Sequence, residues 1–282
     1  MNSHTKVGII GAGKVGTALA VVLHKNGFDL LIASRSRKSA EKAAKIACIK
    51  AASIEKVVEK SDFIFLSVPD GEIVNAGRRI APIVRREQIV AHLSGALPST
   101  IIDFLNAKVI SIHPLKSFAN PLESANTMQG TLFTAEGNKE ALKEAEKIVK
   151  VIGGRFTIIK TENKPLYHIA AVLISNYTVG LFYIAKEIFS SIGFSDKDAA
   201  SALLKLLKGT VKNIETVGSI EALTGPIERG DIDTIKLHLK AMEGSPQLIR
   251  IYKTIGFVII DMAEEKGLDR KKINEMRRLL NE

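Results

Sequence analysis

Lys6-Val-Gly-Ile-Ile-Gly-Ala-Gly-Lys-Val-Gly16 decides how the rest of the chain is read. Val7, Ile9 and Ile10 make a short apolar run of the kind that forms a buried strand. Gly11, Gly13 and Gly16 follow with the spacing G-x-G-x-x-G, and Thr17 to His24 continues with helical spacing and no breaker. The glycines therefore stand where a strand turns into a helix, as a dinucleotide-binding turn requires. Gly11 permits the tight turn, Gly13 lets backbone approach a pyrophosphate, and Gly16 lets the helix pack close to the strand. Ala12, Lys14 and Val15 complete a loop whose amides, at a helix N-terminus, face the phosphates. The alternative is a glycine-rich turn in some other α/β fold.

The next strand, Phe28 to Ala33, leads into Ser34-Arg-Ser-Arg-Lys38, with no acid before Glu41. An acid near this point would hold the ribose 2′-hydroxyl of NAD. Arginine suits a 2′-phosphate instead, because its planar fork donates two hydrogen bonds to phosphate oxygens. Ser34, Arg35 and Ser36 are thus expected to bind NADP. A plain basic helix start is the weaker reading, since cations are unfavourable at a helix N-terminus.

Further strands are expected at Cys48–Ala51, Asp62–Val68, Gln88–Leu93, Ala107–His113, Thr131–Ala135 and Arg155–Ile159, with helices between them. Asp70 reads as the cap of the helix that continues through Ile80. Strands alternating with helices imply right-handed crossovers and a doubly wound sheet, with ligands beyond the carboxyl ends of the strands. Val68, Pro69 and Ser94 then border the cofactor. Ser94, Lys116, His92 and His113 come to the same edge; a single histidine at a strand end is usually structural, but several polar residues gather here, and of the two His113 is the better candidate for chemistry.

After Thr161 to Pro165 the pattern becomes helical to the end, which divides the chain into a Rossmann domain, 1–160, and a helical substrate and dimerisation domain, 161–282. Pro165 opens a long helix with an apolar stripe from Leu166 to Ile188 that is expected to be buried. A second face carries His168, Ser175 and Asn176. These polar groups need partners, either another helix or a substrate. Asp231 and Asp269 read as N-caps, and the loop before Asp231 carries Thr224 and Arg229, a hydroxyl and an anion-binding fork.

The 282 residues are 46% hydrophobic and 25% charged, with net charge +10, so the core can be large. The excess of cations reads either as a lysine-rich solvated surface or as attraction for anionic ligands such as NADP. Lys and Arg are scattered among acids without interleaved aromatics, so no nucleic-acid partner is expected. The one cysteine, Cys48, excludes an internal disulfide and a cysteine metal cluster, and its apolar neighbours suggest a core position. No metal site is expected. The N-terminus leads straight into the first strand, and no charge-free apolar run reaches about 18 residues. The expectation is a cytoplasmic protein without a membrane partner.

Ser67-Val-Pro-Asp70, His92-Leu-Ser-Gly95, His113-Pro-Leu-Lys-Ser-Phe118, Tyr167-His168 with Ser175-Asn176, and Leu223-Thr-Gly-Pro-Ile-Glu-Arg-Gly-Asp231 together resemble the Rossmann-like proteins of the domain of unknown function 2520. Those are distantly similar to pyrroline-5-carboxylate reductases, ketopantoate reductases and β-hydroxyacid dehydrogenases. The resemblance implies NADP binding, an all-helical C-terminal domain and a homodimer. It implies no particular substrate. In many β-hydroxyacid dehydrogenases a lysine stands four residues before the asparagine that Asn176 matches. Here that position is Val172, which argues against a simple hydroxyacid dehydrogenase.

The leading expectation is a reductase carrying hydride from NADPH to a small C=O or C=N substrate. His113 or His168 would supply the proton, Asn176 would orient the substrate, and Ser94, Lys116, Ser175, Thr224 and Arg229 would bind it. The competing class is an NADP-binding sensor or interaction protein without turnover. Reduction of a deazaflavin is a further enzymatic alternative.

Overall fold

The computed structural model describes residues 5–282. The chain divides into two compact units, Met1–Val179 and Gly180–Glu282.

In the first unit, β1 (Val7–Ile10), β2 (Leu30–Ala33), β3 (Lys50–Ala51), β4 (Phe63–Leu66), β5 (Ile89–His92), β6 (Lys108–Pro114), β7 (Leu132–Gly137) and β8 (Arg155–Ile158) form one sheet in the order β3-β2-β1-β4-β5-β6-β7-β8. The first six strands are parallel, the doubly wound order of a dinucleotide-binding sheet. β7 runs antiparallel to β6 while β8 is parallel to β7, so the final extension is reversed relative to the rest.

The connecting helices are α1 (Lys14–Lys25), α2 (Arg37–Ala47), α3 (Ile54–Lys60), α4 (Ile73–Ile80), α5 (Pro121–Asn126) and α6 (Lys139–Val151). Both faces of the sheet are covered, which is why its strands are continuously apolar rather than alternating. Phe63 and Phe65 enter the layer formed with α1, α5 and α6, while Ile64 and Leu66 enter the layer with α3 and α4. The helix starts are set by side chains. Ser36 Oγ accepts from the Ser39 amide and Ser53 Oγ from the Lys56 amide.

Two local expectations are corrected. Cys48 is exposed, not in the core, because it terminates α2 in the left-handed conformation, φ 56°. Asp70 does not cap α4. A short 3₁₀ turn, Asp70–Glu72, intervenes, and the carboxylate accepts from Ser94 Oγ.

A long helical run follows: α7 (Lys164–Val172), a π-turn (Leu173–Tyr177) and α8 (Thr178–Ser191). Pro165 lies in its first turn, where a missing N–H costs nothing. Contrary to expectation the stripe on this run is not buried within the chain. Leu166 is 70% exposed and Ile174 76%. Together, Thr161–Ser191 is one helix long and apolar enough to cross a membrane by length and composition.

The second unit contains α9 (Asp196–Glu221), α10 (Pro226–Arg229), α11 (Ile232–Ala241), α12 (Pro246–Glu265) and α13 (Arg270–Asn281). Its core is Ile227, Ile235, Ile260, Ala263, Ile273 and Met276 with their neighbours. Asp231 and Asp269 cap α11 and α13 as expected. The expected loop before Asp231 contains a single helical turn, α10, bounded by Gly225 and Gly230 at positive φ.

Candidate functional site

Two groups of residues lie at the carboxyl edge of the sheet in the first unit. The first is a cavity of about 450 Å³ lined by Gly11, Ala12, Gly13, Ser34, Arg35 and Ser36 on one side and Ser67, Val68, Pro69 and Arg79 on the other. The glycines occupy it for different reasons. Gly11 has φ 119°, and a Cβ there would collide with the Ser67 carbonyl oxygen. A Cβ on Gly16 would collide with the Gly11 carbonyl oxygen, so the start of α1 packs directly on the turn. At Gly13 an added Cβ would meet nothing within 4 Å. Gly13 therefore faces open space, while Gly11 and Gly16 are required by packing. An open backbone turn at the start of α1 fits the pyrophosphate of a dinucleotide.

Arg35 is exposed and forms no ion pair among the described residues. Arg37 is engaged by Glu41 at 2.9 Å. Arg79, which the sequence reading did not single out, lies across the cavity and is held by Glu55 at 3.1 Å. Its position on α4 only becomes relevant once β2 and β4 are neighbours of β1. Lys14, Val15, Gly16 and Ser94 do not line this cavity. Gly16 acts through packing, and Ser94 belongs to the second group.

The second group joins β5, β6 and α7. The Tyr167 hydroxyl and His113 Nδ1 are hydrogen-bonded at 2.9 Å, with the rings edge to face. His168 stands edge-on to His113 with ring centroids 6.0 Å apart. Both imidazoles bear on Gly95. A Cβ there would come within 2.7 Å of His168 Nδ1 and 3.1 Å of His113 Nε2. His168 Nδ1 is buried without a hydrogen-bond partner. Burial, reinforced by His168 and Lys164, pushes His113 down to about 4. His113 is therefore a neutral imidazole near pH 7. Burial raises Tyr167 above the usual phenol range, so its hydroxyl stays protonated near pH 7.

Beneath these rings Ser94 Oγ donates to Asp70 at 2.7 Å and accepts from the amides of Ala96 and Leu97. His92 is fully buried, its ring accepting from the Ser94 amide and facing the Pro98 carbonyl, and burial lowers it to about 4. It is a structural histidine. Lys164 is also fully buried, and its ammonium donates to Ser94 O and Ser111 Oγ. Burial lowers its pKa, opposed by Glu136 and Asp70.

The structure thus brings His113 and His168 together and adds Tyr167 and Lys164. Lys116 is directed elsewhere, to the Thr127 carbonyl at 2.9 Å. Ser175 and Asn176 are exposed and fall inside the π-turn, a distortion that recurs at functional sites. Thr224 and Arg229 belong to the second unit. Tyr167 was visible only as part of a motif, and Lys164 carried no signal, because a lysine at a helix start normally reads as solvated surface. Among the described residues no cluster of His, Cys, Asp or Glu could hold a metal ion.

Residues 1–114 match the model of the Rossmann-like domain, and residues 131–259 match that of the domain of unknown function DUF2520. The chain joins a Rossmann-like domain to a DUF2520 domain. The Tyr167–His113 pair therefore spans the two matched regions, with Tyr167 inside the DUF2520 region and His113 at the end of the Rossmann-like one. A solved protein of Thermotoga maritima is 28% identical with a TM-score of 0.73, covering 92% of this chain and 99% of its own. Plasmodium falciparum pyrroline carboxylate reductase, solved with NADP bound, is 15% identical with a TM-score of 0.64 and covers 99% of both chains. Glycerol-3-phosphate dehydrogenase [NAD(P)+] of Clostridium acetobutylicum is 23% identical over 244 residues, 80% of this chain and 72% of its own length. The two enzymes among these relatives are pyridine-nucleotide oxidoreductases.

Proposed function

We propose that the protein is an NADPH-dependent reductase of a small C=O or C=N substrate. The observation that carries this reading is the meeting of two features on one sheet edge. A glycine-turn cavity with Arg35 at its adenosine end lies beside a part-buried tyrosine–histidine pair. Relatives that act on pyridine nucleotides, one of them solved with NADP, support it.

Bound NADPH would supply hydride to the acceptor carbon. The chain's residues do the rest. Gly11 to Gly16 would hold the pyrophosphate, and Ser34, Arg35 and Ser36 would hold the 2′-phosphate by charge-assisted hydrogen bonds. The Tyr167 hydroxyl delivers the proton to the acceptor oxygen or nitrogen. His113, neutral near pH 7, shares that hydrogen bond and orients the phenol. His168, Ser175 and Asn176 lie further along the same helical run, where they would position the substrate.

We read the exposed apolar run around the π-turn as the face of a homodimer, since contiguous exposed apolar surface marks an interface. The competing reading, an NADP-binding sensor, draws on Val172 standing where a catalytic lysine would be expected.

The test is a screen of imines, 2-oxo acids and a deazaflavin with NADPH and with NADH, followed at the nicotinamide absorbance. Turnover of a C=O or C=N acceptor, preferring NADPH, is the expected result. NADP binding with no turnover of any acceptor would favour the sensor.

A further inference from the structure

Lys164 is a buried cation with no counter-charge at ion-pair distance among the described residues. The two nearby carboxylates are engaged elsewhere. Asp70 accepts from Ser94 Oγ, and Glu136 from Ser99 and Thr161. An ammonium in such a place opposes folding, and an apolar side chain of similar length would be at least as stable there. Its hydrogen bonds show what it does instead. The ammonium donates to the Ser94 carbonyl at 3.1 Å and to Ser111 Oγ at 2.7 Å, and Ser111 Oγ donates in turn to Ser94 O at 3.1 Å.

Each of the three segments tied together in this way carries one side of the histidine cluster. Ser111 lies two residues before His113 on β6, so both point to the same face of the strand. Ser94 immediately precedes Gly95, on which both imidazoles rest. Lys164 lies three and four residues before Tyr167 and His168, which places all three on one face of α7. We propose that Lys164 is a positioning residue, which locks β6, the Ser94–Gly95 turn and α7 together so that Tyr167 and His168 meet His113. This rests on reading the cluster as the reacting site, and the experiment needs no turnover.

The groups facing His113 are Tyr167, His168 and Lys164 from α7 and Asp70 from the turn after β4. The experiment follows the His113 imidazole by NMR in the full-length protein labelled at histidine nitrogens, with the signal assigned by His113→Gln. In the parent a single tautomer, held by the contact with Tyr167, and a titration midpoint at about 4 are expected. Lys164→Met is expected to raise that midpoint by about half a pH unit or more and to mix the tautomers, because a nearby cation is removed and the ring loosens. Its NADP affinity stays within about twofold of the parent, since the glycine turn is a separate site. Ser111→Ala keeps the lysine and removes one of its partners, and it moves the midpoint the same way by less. Ser99→Ala removes a different buried hydrogen bond on the same sheet edge and leaves His113 unchanged. A folded Lys164→Met with the parental His113 midpoint and tautomer overturns the proposal. Should Lys164→Met not fold, an unchanged His113 in Ser111→Ala overturns it.

Discussion

The Tyr167 hydroxyl sits 2.9 Å from His113 Nδ1, although the two residues are 54 positions apart. One comes from the helix after the sheet, the other from the end of its sixth strand. Because burial holds His113 near 4, almost no imidazolium is present at neutral pH, and the proposed reaction takes the phenol as its proton source. Tyr167→Phe is therefore expected to slow reduction about a hundredfold or more, the usual contribution of a positioned general acid. NADP affinity should not change. Comparing turnover and cofactor titrations in parent and variant checks this, and unchanged turnover would remove Tyr167 from the chemistry.

Under the proposed function Arg35 is expected to govern cofactor choice. One hydrogen bond to a charged group is worth roughly 1.5–3 kcal/mol, which corresponds to about a ten- to hundredfold preference. Arg35→Ala should weaken NADP by that factor and leave NAD nearly unaffected. Calorimetric titration with both cofactors decides the matter. Equal weakening of the two would mean that Arg35 does not read the 2′-phosphate.

Gly13 and Gly11 should fail differently. Gly13→Val puts side-chain atoms into open space, so the protein should fold with a near-parental melting temperature. Both cofactors should nonetheless be lost by more than about tenfold, because the shared pyrophosphate site is blocked. Gly11→Val meets both a strained φ of 119° and the Ser67 backbone, so it should lower the melting temperature itself. Thermal melts beside binding curves separate the two. A Gly13→Val protein that binds NADP normally would place the pyrophosphate elsewhere.

The buried histidines set the acid limit of stability. His92 and His113 are lowered from 6.5 to about 4 in the folded chain. Between those values the unfolded chain binds more protons, so stability rises with pH there and is lost as pH falls. Each tenfold difference in proton affinity between the folded and unfolded chain is worth about 1.36 kcal/mol, so each ring costs the folded chain on the order of 2–3 kcal/mol at acid pH, a penalty that is absent at neutral pH. Denaturant midpoints at pH 7 and pH 5 should differ accordingly, and His92→Gln should flatten the dependence. A midpoint independent of pH across this window would contradict the burial of both rings.

The exposed helical run should control assembly. Ile174 is 76% exposed in the single chain, and Ile174→Glu places a charge in the middle of the apolar face. Light scattering at micromolar concentration is expected to show a dimer for the parent and a monomer for the variant. A monomeric parent would refute the interface.

Much of this protein was already specified locally. The turn Gly11 to Gly16, the continuous apolar runs Phe63–Leu66 and Ile89–His92, and the caps Ser53, Asp231 and Asp269 depend on neighbours a few residues away. Period and spacing therefore determine them before any packing occurs. Arg35 at the end of β2 follows from the same local rule.

Only the tertiary structure decided what depends on distant partners. The reversal of β7 against β6 follows from the path of the chain across the sheet edge, which no local pattern encodes. Asp70 gave up a capping role for Ser94, 24 residues away. The stripe from Leu166 onward has the spacing of a buried face but finds no cover within its own chain, because periodicity shows that a face is apolar and not what lies against it. Lys164 and Tyr167 gained their roles only when β5, β6 and α7 met, since burial and hydrogen-bond partnership across 53 to 70 residues are properties of the packed chain.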